Sequence, residues 1–463
     1  MYSTVLIIGA GESGLCMAAQ LKNRFKHTDF AVYERHSDVG GTWYANSYPG
    51  AELHDYFTKF TDSYNLRHHI TFNTEAVSAR YLSDRQLWSV RLRRRKIASW
   101  ETKLSTDDAR ELQHDNDESC DTWTHECKLL FTAVGGLVEP ADFEIPGREK
   151  FKGNIFHSAV WDHTVDIKGK NVVIIGNGCS AAQIVPAIIP EVKSLTQIIR
   201  SPHWILPRPQ FPGFDPSSFE KYSPTLFRYI PGLQALSRAL MFVSIEAGWL
   251  GFRNDALGEK IRIAQKNTSL EHIKKNAPEK YWDILIPTFP VGFKRRIFDD
   301  TYLPTLADPK MTLTKDEITY LSKNHVHTAS GESYKAEVII LATGFKTNEW
   351  IAPFEIVGKD GISLRDHWEK MGGPGAYNST AVNGFPNMFM IVGPNSITGH
   401  TSFILASENM CRYALNIAKP VITGDASEVE VKKEAEEQYS NWLREQMKGT
   451  VFDNKQYRSA SIF

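Results

Sequence analysis

The chain of 463 residues contains 53 basic and 54 acidic residues, and 42% of its residues are hydrophobic. This length predicts two or three domains with substantial cores. The balanced charge excludes a strong field that would attract nucleic acid or an anionic surface. The five cysteines are scattered, with no C-x-x-C pair, so we expect no disulfide framework. We therefore expect a cytoplasmic protein that binds a small neutral molecule and no nucleic acid.

The first nucleotide-binding pattern lies at the amino terminus. A β-branched run at residues 4–8 precedes Gly9, Gly11 and Gly14, and residues at helical spacing follow before a second strand-like run that ends at Glu34. This order predicts a βαβ unit with a G-x-G-x-x-G turn, the alternative being an ordinary glycine turn. The Glu34 carboxylate would accept bonds from both ribose hydroxyls and repel a ribose phosphate. The pattern therefore favours FAD or NAD over NADP.

A second unit of the same kind spans residues 171–199. Its turn contains the candidate cofactor-binding residues Gly176, Asn177, Gly178, Ser180 and Ala181. Alanine in the third small position is an accepted variant of the fingerprint. Arg200 and Ser201 stand where the first unit has its acid, and an arginine there suits a 2′-phosphate. The second unit is thus predicted to bind NADPH, and a solvated strand-end arginine is the alternative.

Two nucleotide sites in one chain would permit hydride transfer from NADPH to a flavin. A flavin disulfide reductase needs a nearby pair of redox cysteines, which the spacing of the five cysteines does not provide. Oxygen is therefore the favoured acceptor.

A third pattern lies just before the second unit, at Phe151, Gly153, His157, Trp161 and Asp162. It resembles the FxGxxxHxxxW(P/D) fingerprint of the type I Baeyer-Villiger monooxygenases and their flavin-containing monooxygenase relatives. The resemblance implies a segment that links two nucleotide domains and takes no part in bond chemistry. From the residues alone, the histidine and the tryptophan would be packed core side chains.

Further segments resemble the same family over nearly the whole chain, namely residues 40–43, 48–50, 292–296, 341–345, 393–396 and 399–400. The resemblance implies that Gly41, Thr42 and Trp43 lie against FAD. It also implies that Lys294 reaches the NADPH phosphate and that Arg295 is the active-site arginine. A fixed guanidinium can stabilise an anionic oxygen nucleophile and the tetrahedral adduct of a ketone, an effect of about 3 to 4 kcal/mol. A surface basic cluster is the alternative for residues 294–296.

One segment departs from the family pattern. Relatives carry an active-site aspartate soon after the Tyr-Pro-Gly turn, but here a helical pattern begins near Leu53, so a segment is missing after Gly50. Asp55 is a displaced candidate that the helical pattern disfavours. Without the aspartate, Arg295 could be oriented differently and the flavin more open to water. The resemblance implies a monooxygenase that oxidises a ketone to an ester or lactone by Baeyer-Villiger chemistry. The alternatives are a flavin monooxygenase that oxygenates nitrogen or sulfur or hydroxylates its substrate, and a flavoprotein that does not oxygenate.

The expected fold class is α/β, with two Rossmann-like three-layer domains and the NADPH domain inserted into the FAD domain. The predicted bounds are 1–148 and 332–463 for the FAD domain and 149–331 for the NADPH domain, which includes a helical subdomain at 212–278. The apolar run at 338–345 is expected to return the chain to the FAD domain. The apolar tract at 236–252 is too interrupted to span a membrane, so we expect a buried or interfacial helix and no membrane contact.

Overall fold

The computed structural model describes most of the chain. The described residues are 1–51, 53–95, 121–208, 216–347, 351, 354–396, 399–400 and 402–453, without the side chains of 216, 217 and 220. Most of the loop expected at residues 93–121 lies outside this part, as do residues 212–215 of the expected helical subdomain.

The described residues form eighteen strands and twelve α-helices. In chain order the strands are β1 (Tyr2–Ile8), β2 (Phe30–Tyr33), β3 (Ile70–Thr71), β4 (Thr74–Leu82), β5 (Leu87–Arg94), β6 (Thr122–Thr132), β7 (Asn154–His157), β8 (Asn171–Ile175), β9 (Ser194–Ile198), β10 (Ile205–Leu206), β11 (Ile297–Phe298), β12 (Met311–Thr314), β13 (Ile318–Leu321), β14 (His325–Thr328), β15 (Ser333–Lys335), β16 (Val338–Leu341), β17 (Glu355–Val357) and β18 (Met388–Met390). The helices are α1 (Glu12–Arg24), α2 (Thr42–Ala45), α3 (Leu53–Ser63), α4 (Cys179–Ile188), α5 (Pro216–Tyr229), α6 (Leu233–Ala247), α7 (Ala256–Asn276), α8 (Trp282–Leu285), α9 (Tyr302–Thr305), α10 (Leu364–Met371), α11 (Phe403–Thr423) and α12 (Lys433–Lys448).

The first domain is built on an eight-stranded sheet with the order β17-β4-β5-β6-β1-β2-β3, and β18 pairs with β6. Strand β1 is parallel to β2 and β6, and β2 to β3, whereas β4, β5 and β6 pair antiparallel. Helices α1 and α11 cover one face around β1, and α10 contributes to the core on the other. The turn after β1 is therefore held between buried layers.

The second domain is built on a five-stranded parallel sheet with the order β12-β9-β8-β16-β7. Every residue of β8 is buried, as expected for a parallel strand covered on both faces. Helices α4, α7 and α9 lie over one face, and the antiparallel sheet β13-β14-β15 lies over the other. The predicted α/β fold with two Rossmann-like domains is confirmed.

The second sheet is inserted into the first, but one predicted boundary is wrong. Strand β16 pairs in parallel with β7 and β8, so the run expected to return the chain to the first domain belongs to the second sheet. Only with β17 and β18 does the chain rejoin the first sheet. The insertion therefore ends after Leu341, beyond the predicted limit of 331.

The two segments that connect the domains are paired with each other. Ala141 N donates to Gly344 O at 2.9 Å, and Lys346 N donates to Glu139 O at 2.9 Å. The Thr343 hydroxyl donates to Ala141 O at 2.6 Å. The entry and exit of the second domain thus run side by side as a short antiparallel ribbon.

The expected helical subdomain comprises α5, α6 and α7, and its apolar tract is not buried. Leu233–Phe252 is 20 residues long with a mean hydropathy of 1.2, and 11% of it is buried. By length and composition it is the one helical segment within the described residues that could cross a membrane, which is weak evidence in itself. Of the two expected alternatives, a buried or an interfacial helix, the buried one is wrong, because α6 has no buried residue.

Candidate functional site

The turn after β1 has the tight geometry that the glycine pattern predicts. Gly9 has a φ of +101°, and a Cβ there would lie 2.6 Å from Ala133 O, so a larger residue does not fit. A Cβ on Gly14, in the first turn of α1, would lie 1.9 Å from Gly9 O. The amino end of α1 thus sits against the carboxyl ends of β1 and β6, where backbone N–H groups favour a phosphate.

Glu34 follows β2 and turns its side chain back towards this turn. The carboxylate is buried, with Oε2 accepting from Ala10 N at 2.6 Å and Oε1 accepting from His36 N at 2.9 Å. Each oxygen retains a lone pair that could accept from a ribose hydroxyl. A negative charge at this position does not suit a ribose phosphate.

One cleft brings together predicted residues that are far apart in sequence. It is lined by Gly9, Gly11, Glu34, Gly41, Thr42, Trp43 and Arg295. Residues 135–139 and Lys346 from the paired connecting segments also line it, together with Phe403 at the start of α11. These cleft residues were not among those predicted from the sequence. The position of 135–139 just beyond β6 was the available signal, because ligands bind at the carboxyl ends of parallel strands.

The second glycine turn repeats the geometry of the first. Gly176 has a φ of +121°, and a Cβ there would lie 2.2 Å from Ala342 O. Asn177 Nδ2 donates to Ser201 O at 2.9 Å, which ties the turn to the end of the next strand. A Cβ on Gly178 would meet no atom within 4 Å, and Ser180 and Ala181 lie in the first turn of α4. The turn is open where a pyrophosphate would lie.

Three polar side chains meet beside this second turn. Lys294 Nζ donates to the Ser201 hydroxyl at 2.7 Å, although Lys294 lies 93 residues further along the chain. Burial and then the positive charge of Arg200 lower the pKa of Lys294. Two cations held together by the fold suit a dianionic phosphate, which would accept charge-assisted bonds from both. These residues fit the ribose phosphate of NADPH.

Arg295 follows Lys294 directly and faces the first cleft. Its carbonyl oxygen accepts from His203 Nδ1 at 3.3 Å. Burial lowers the pKa of His203 to about 4, so its ring is neutral at pH 7. These two neighbouring residues therefore face different sites. Lys294 contacts Ser201 beside the second turn, and Arg295 lines the cleft of the first domain.

The Tyr-Pro-Gly turn at residues 48–50 contacts the second domain, and no local sequence pattern predicts this contact. The Tyr48 hydroxyl donates to Gln183 Oε1 of α4 at 2.8 Å. A Cβ on Gly50 would lie 3.2 Å from Gln183 O. The flavin-side loop therefore rests on the helix of the second nucleotide turn.

Helix α3 begins at Leu53, as the helical pattern predicts. Asp55 is exposed on it, and the residues that line the cleft do not include it. His54 Nε2 instead lies 3.5 Å from Asp38 Oδ2, and Arg67 Nη1 lies 2.9 Å from Asp38 Oδ1. Burial raises the pKa of Asp38, but contacts with His54, its neighbouring backbone amide and Arg67 outweigh burial and lower the pKa to about 2. This ion pair fixes the loop beside the cleft.

Two residues of the FxGxxxHxxxW(P/D) pattern, His157 and Trp161, are buried and pack against neighbouring residues. Burial lowers the pKa of His157 to about 4, and Nδ1 of its ring accepts from Ala159 N at 3.0 Å. Trp161 is buried, with its ring centroid 5.1 Å from that of Phe156. Neither side chain lines the cleft.

Comparisons with known proteins place this geometry in a family. Residues 7–70 match the model of an NAD(P)-binding Rossmann-like domain, and residues 44–222 match the flavin-binding monooxygenase-like model. A Baeyer-Villiger monooxygenase of Pseudomonas aeruginosa is 32% identical over 97% of this chain and 84% of its own length. The chain belongs to the Baeyer-Villiger and flavin-binding monooxygenase family.

A second relative agrees with this assignment, and a solved structure has the same fold. An FAD-binding monooxygenase of Aspergillus niger is 32% identical over 90% of this chain and 69% of its own length. The solved structure of an oxidized steroid monooxygenase bound to NADP has a TM-score of 0.79 and 22% identity, and covers 100% of this chain and 94% of its own. Family membership confirms the predictions of an enzyme, of a flavin-dependent monooxygenase, and of FAD and NADPH as cofactors.

Proposed function

We propose that this chain is a Baeyer-Villiger monooxygenase, which inserts one atom of O2 beside the carbonyl of a ketone to form an ester or lactone. The observation that carries the proposal is the position of Arg295 in the same cleft as Gly41 and Trp43. The adjacent Lys294 lies at the predicted site of the NADPH phosphate. One short segment would thus serve both the cofactor and the reacting atoms.

In this proposal each nucleotide has its own turn and its own ribose contact. FAD would lie on Gly9, Gly11 and Gly14, with its ribose hydroxyls on Glu34 and its ring near residues 41–43. NADPH would lie on residues 176–181, with its ribose phosphate between Arg200, Ser201 and Lys294. The chemistry that bound FAD supplies is acceptance of a hydride from NADPH and activation of O2.

Arg295 would act on charge that develops during oxygen transfer. A guanidinium group carries a positive charge and offers several N–H donors. It would stabilise the negative charge on the oxygen nucleophile and on the carbonyl oxygen of the attacked ketone. Loss of one such fixed donor lowers kcat by about 100-fold to 1,000-fold.

Oxygenation of sulfur or nitrogen is a second candidate, which the segment after Gly50 favours. Helix α3 starts where relatives place the aspartate that pairs with the arginine, and Asp55 is exposed. Attack by a soft sulfur or nitrogen atom needs no stabilised carbonyl oxygen, so it would tolerate a different arginine environment.

Product analysis separates the two candidates. The FAD-loaded enzyme is supplied with NADPH, O2 and either a ketone or a sulfide, and ester, sulfoxide and hydrogen peroxide are measured against NADPH consumed. We expect ester from the ketone, and we expect Arg295→Ala to lose ester formation while it still accepts a hydride from NADPH. The matched control is Arg208→Ala, an exposed arginine of the same domain. Sulfoxide alone would favour the second candidate, and peroxide equal to the NADPH consumed would contradict both.

A further inference from the structure

Helices α5 and α6 form a helix pair, joined by residues 230–232, whose apolar surface the described residues do not cover. No described residue of either helix is buried. The exposed large apolar side chains are Tyr222, Leu226, Tyr229, Leu236, Leu240, Met241, Phe242 and Val243, with Ile230 in the connection. Tyr229, beside the connection, is 73% exposed. Exposed large apolar side chains grouped on two neighbouring helices are typical of an interaction site.

The apolar side chains of α6 point in several directions. Leu236, Leu240 and Val243 are spaced by four and three residues and share one side of the helix. Met241 and Phe242 follow Leu240 directly, so they point away from that side at about 100° per residue. A protein partner, including a second copy of this chain, would contact one side of α6, whereas the acyl chains of a leaflet can contact every side that α5 and the rest of the protein leave open. The distribution on α6 therefore fits lipid better than protein.

The helix pair carries a small excess of positive charge. Its basic residues are Lys221, Arg228 and Arg238, and its two acidic residues, Glu220 and Glu246, lie at either end of the stretch 221–245 that holds the basic ones. All three basic side chains are exposed. The Arg228 guanidinium lies 5.9 Å from the centre of the Tyr229 ring. Tyrosine beside arginine or lysine is typical of the boundary between headgroups and hydrocarbon, where the basic group reaches the phosphates.

The length of α6 limits how deeply it can enter a lipid bilayer. Its 15 residues extend about 22 Å, less than the hydrocarbon core of about 30 Å. The helix ends at a 3-10 turn, Gly248–Phe252, in which Gly251 and Phe252 are buried in the protein. The segment can therefore lie in one leaflet but cannot cross the bilayer while its end stays packed.

We propose that the helix pair docks this protein on the surface of an anionic phospholipid bilayer, with the apolar side chains of α6 in the interface and the three basic residues towards the phosphates. This inference goes beyond the proposed oxygenation and does not depend on it. It also departs from the sequence-based expectation of no membrane contact, because no residue of α6 is buried in the protein.

Vesicle flotation of the full-length, FAD-loaded protein tests the proposal. We expect the protein to float with phosphatidylcholine vesicles, and more strongly when they contain phosphatidylglycerol. Leu240→Ser and Phe242→Ser should each weaken the partition by about tenfold, as expected for withdrawing one inserted apolar side chain. Tyr320→Ser is the matched control, an exposed aromatic residue outside the helix pair, and should leave flotation unchanged.

A charge variant and the oligomeric state complete the test. Arg228→Gln combined with Arg238→Gln should abolish the preference for phosphatidylglycerol and retain binding to phosphatidylcholine. Bound flavin per chain, measured for every variant, should be unchanged and shows that the fold is intact. The proposal is overturned if the wild-type protein does not float, or if Leu240→Ser floats as the wild type does. It is also overturned if light scattering shows a dimer that Leu240→Ser dissociates.

Discussion

Replacement of Lys294 by methionine should weaken the binding of NADPH and leave the binding of NADH unchanged. Lys294 is 8% exposed, and its Nζ lies 2.7 Å from the Ser201 hydroxyl at the predicted phosphate site. Methionine keeps an unbranched apolar side chain near the Phe289 ring but carries no charge. A hydrogen bond to a charged group contributes about 1.5 to 3 kcal/mol. We therefore expect NADPH to bind about 10-fold to 150-fold more weakly, and NADH to bind as before.

The assay is anaerobic flavin reduction at varied concentrations of NADPH and of NADH. The matched control is Lys193→Met, which removes an exposed positive charge from the same domain. The double variant Lys294→Met with Arg200→Ala should lose less binding free energy for NADPH than the sum of the two single variants, because both side chains would hold one phosphate. Burial and Arg200 lower the pKa of Lys294, so the preference for NADPH should decline as pH rises through that lowered value. Equal losses for NADPH and NADH would refute phosphate binding at Lys294.

Three further predictions concern the turns and the loop beside the cleft. Gly176→Ala should destabilise the fold by about 2 kcal/mol or more, because its Cβ would lie 2.2 Å from Ala342 O. Gly178→Ala, whose Cβ would meet no atom within 4 Å, should leave the unfolding temperature unchanged and weaken NADPH binding. Equal unfolding temperatures of the two variants would contradict this prediction. Glu34→Ala should leave two buried backbone N–H groups unpaired and lower the flavin content, and full flavin content after dialysis would count against the ribose contact. Asp38→Asn should lower stability at pH 7 by about 2 kcal/mol, because the carboxylate has a pKa of about 2 in the fold. This difference should vanish as pH falls below 3.8 and through 2, and a difference that persists at pH 2 would exclude the ion pair as its cause.

Local pattern was enough to predict both nucleotide turns. Glycines at fixed spacing between a strand and a helix determine a backbone path, so Gly9 and Gly176 could be placed from a few neighbouring residues. The same holds for α3, whose helical spacing correctly predicted a helix that begins near Leu53. The roles of individual residues in binding and catalysis stay predictions.

Partners that are distant in sequence could not be predicted. Strand β16 has four buried apolar residues, a pattern that suits the centre of either sheet, and only its pairing with β7 and β8 decides between them. The contact of Tyr48 with Gln183 spans 135 residues and has no local signal. A buried and an interfacial helix both stayed open for the apolar tract at 236–252, because apolar composition predicts that a helix is covered but not by what.

The paired connecting segments make the two crossings between the domains one hinge. The backbone of Ala141 is hydrogen-bonded to that of Gly344, and the backbone of Glu139 to that of Lys346. Neither strand of the ribbon can therefore bend unless the other bends with it. Any rotation of the second domain against the first must therefore twist the ribbon as a unit. Residues 135–139 and Lys346 are also part of the cleft wall, so a rotation reshapes the cleft, and a molecule that fills the cleft restrains the rotation.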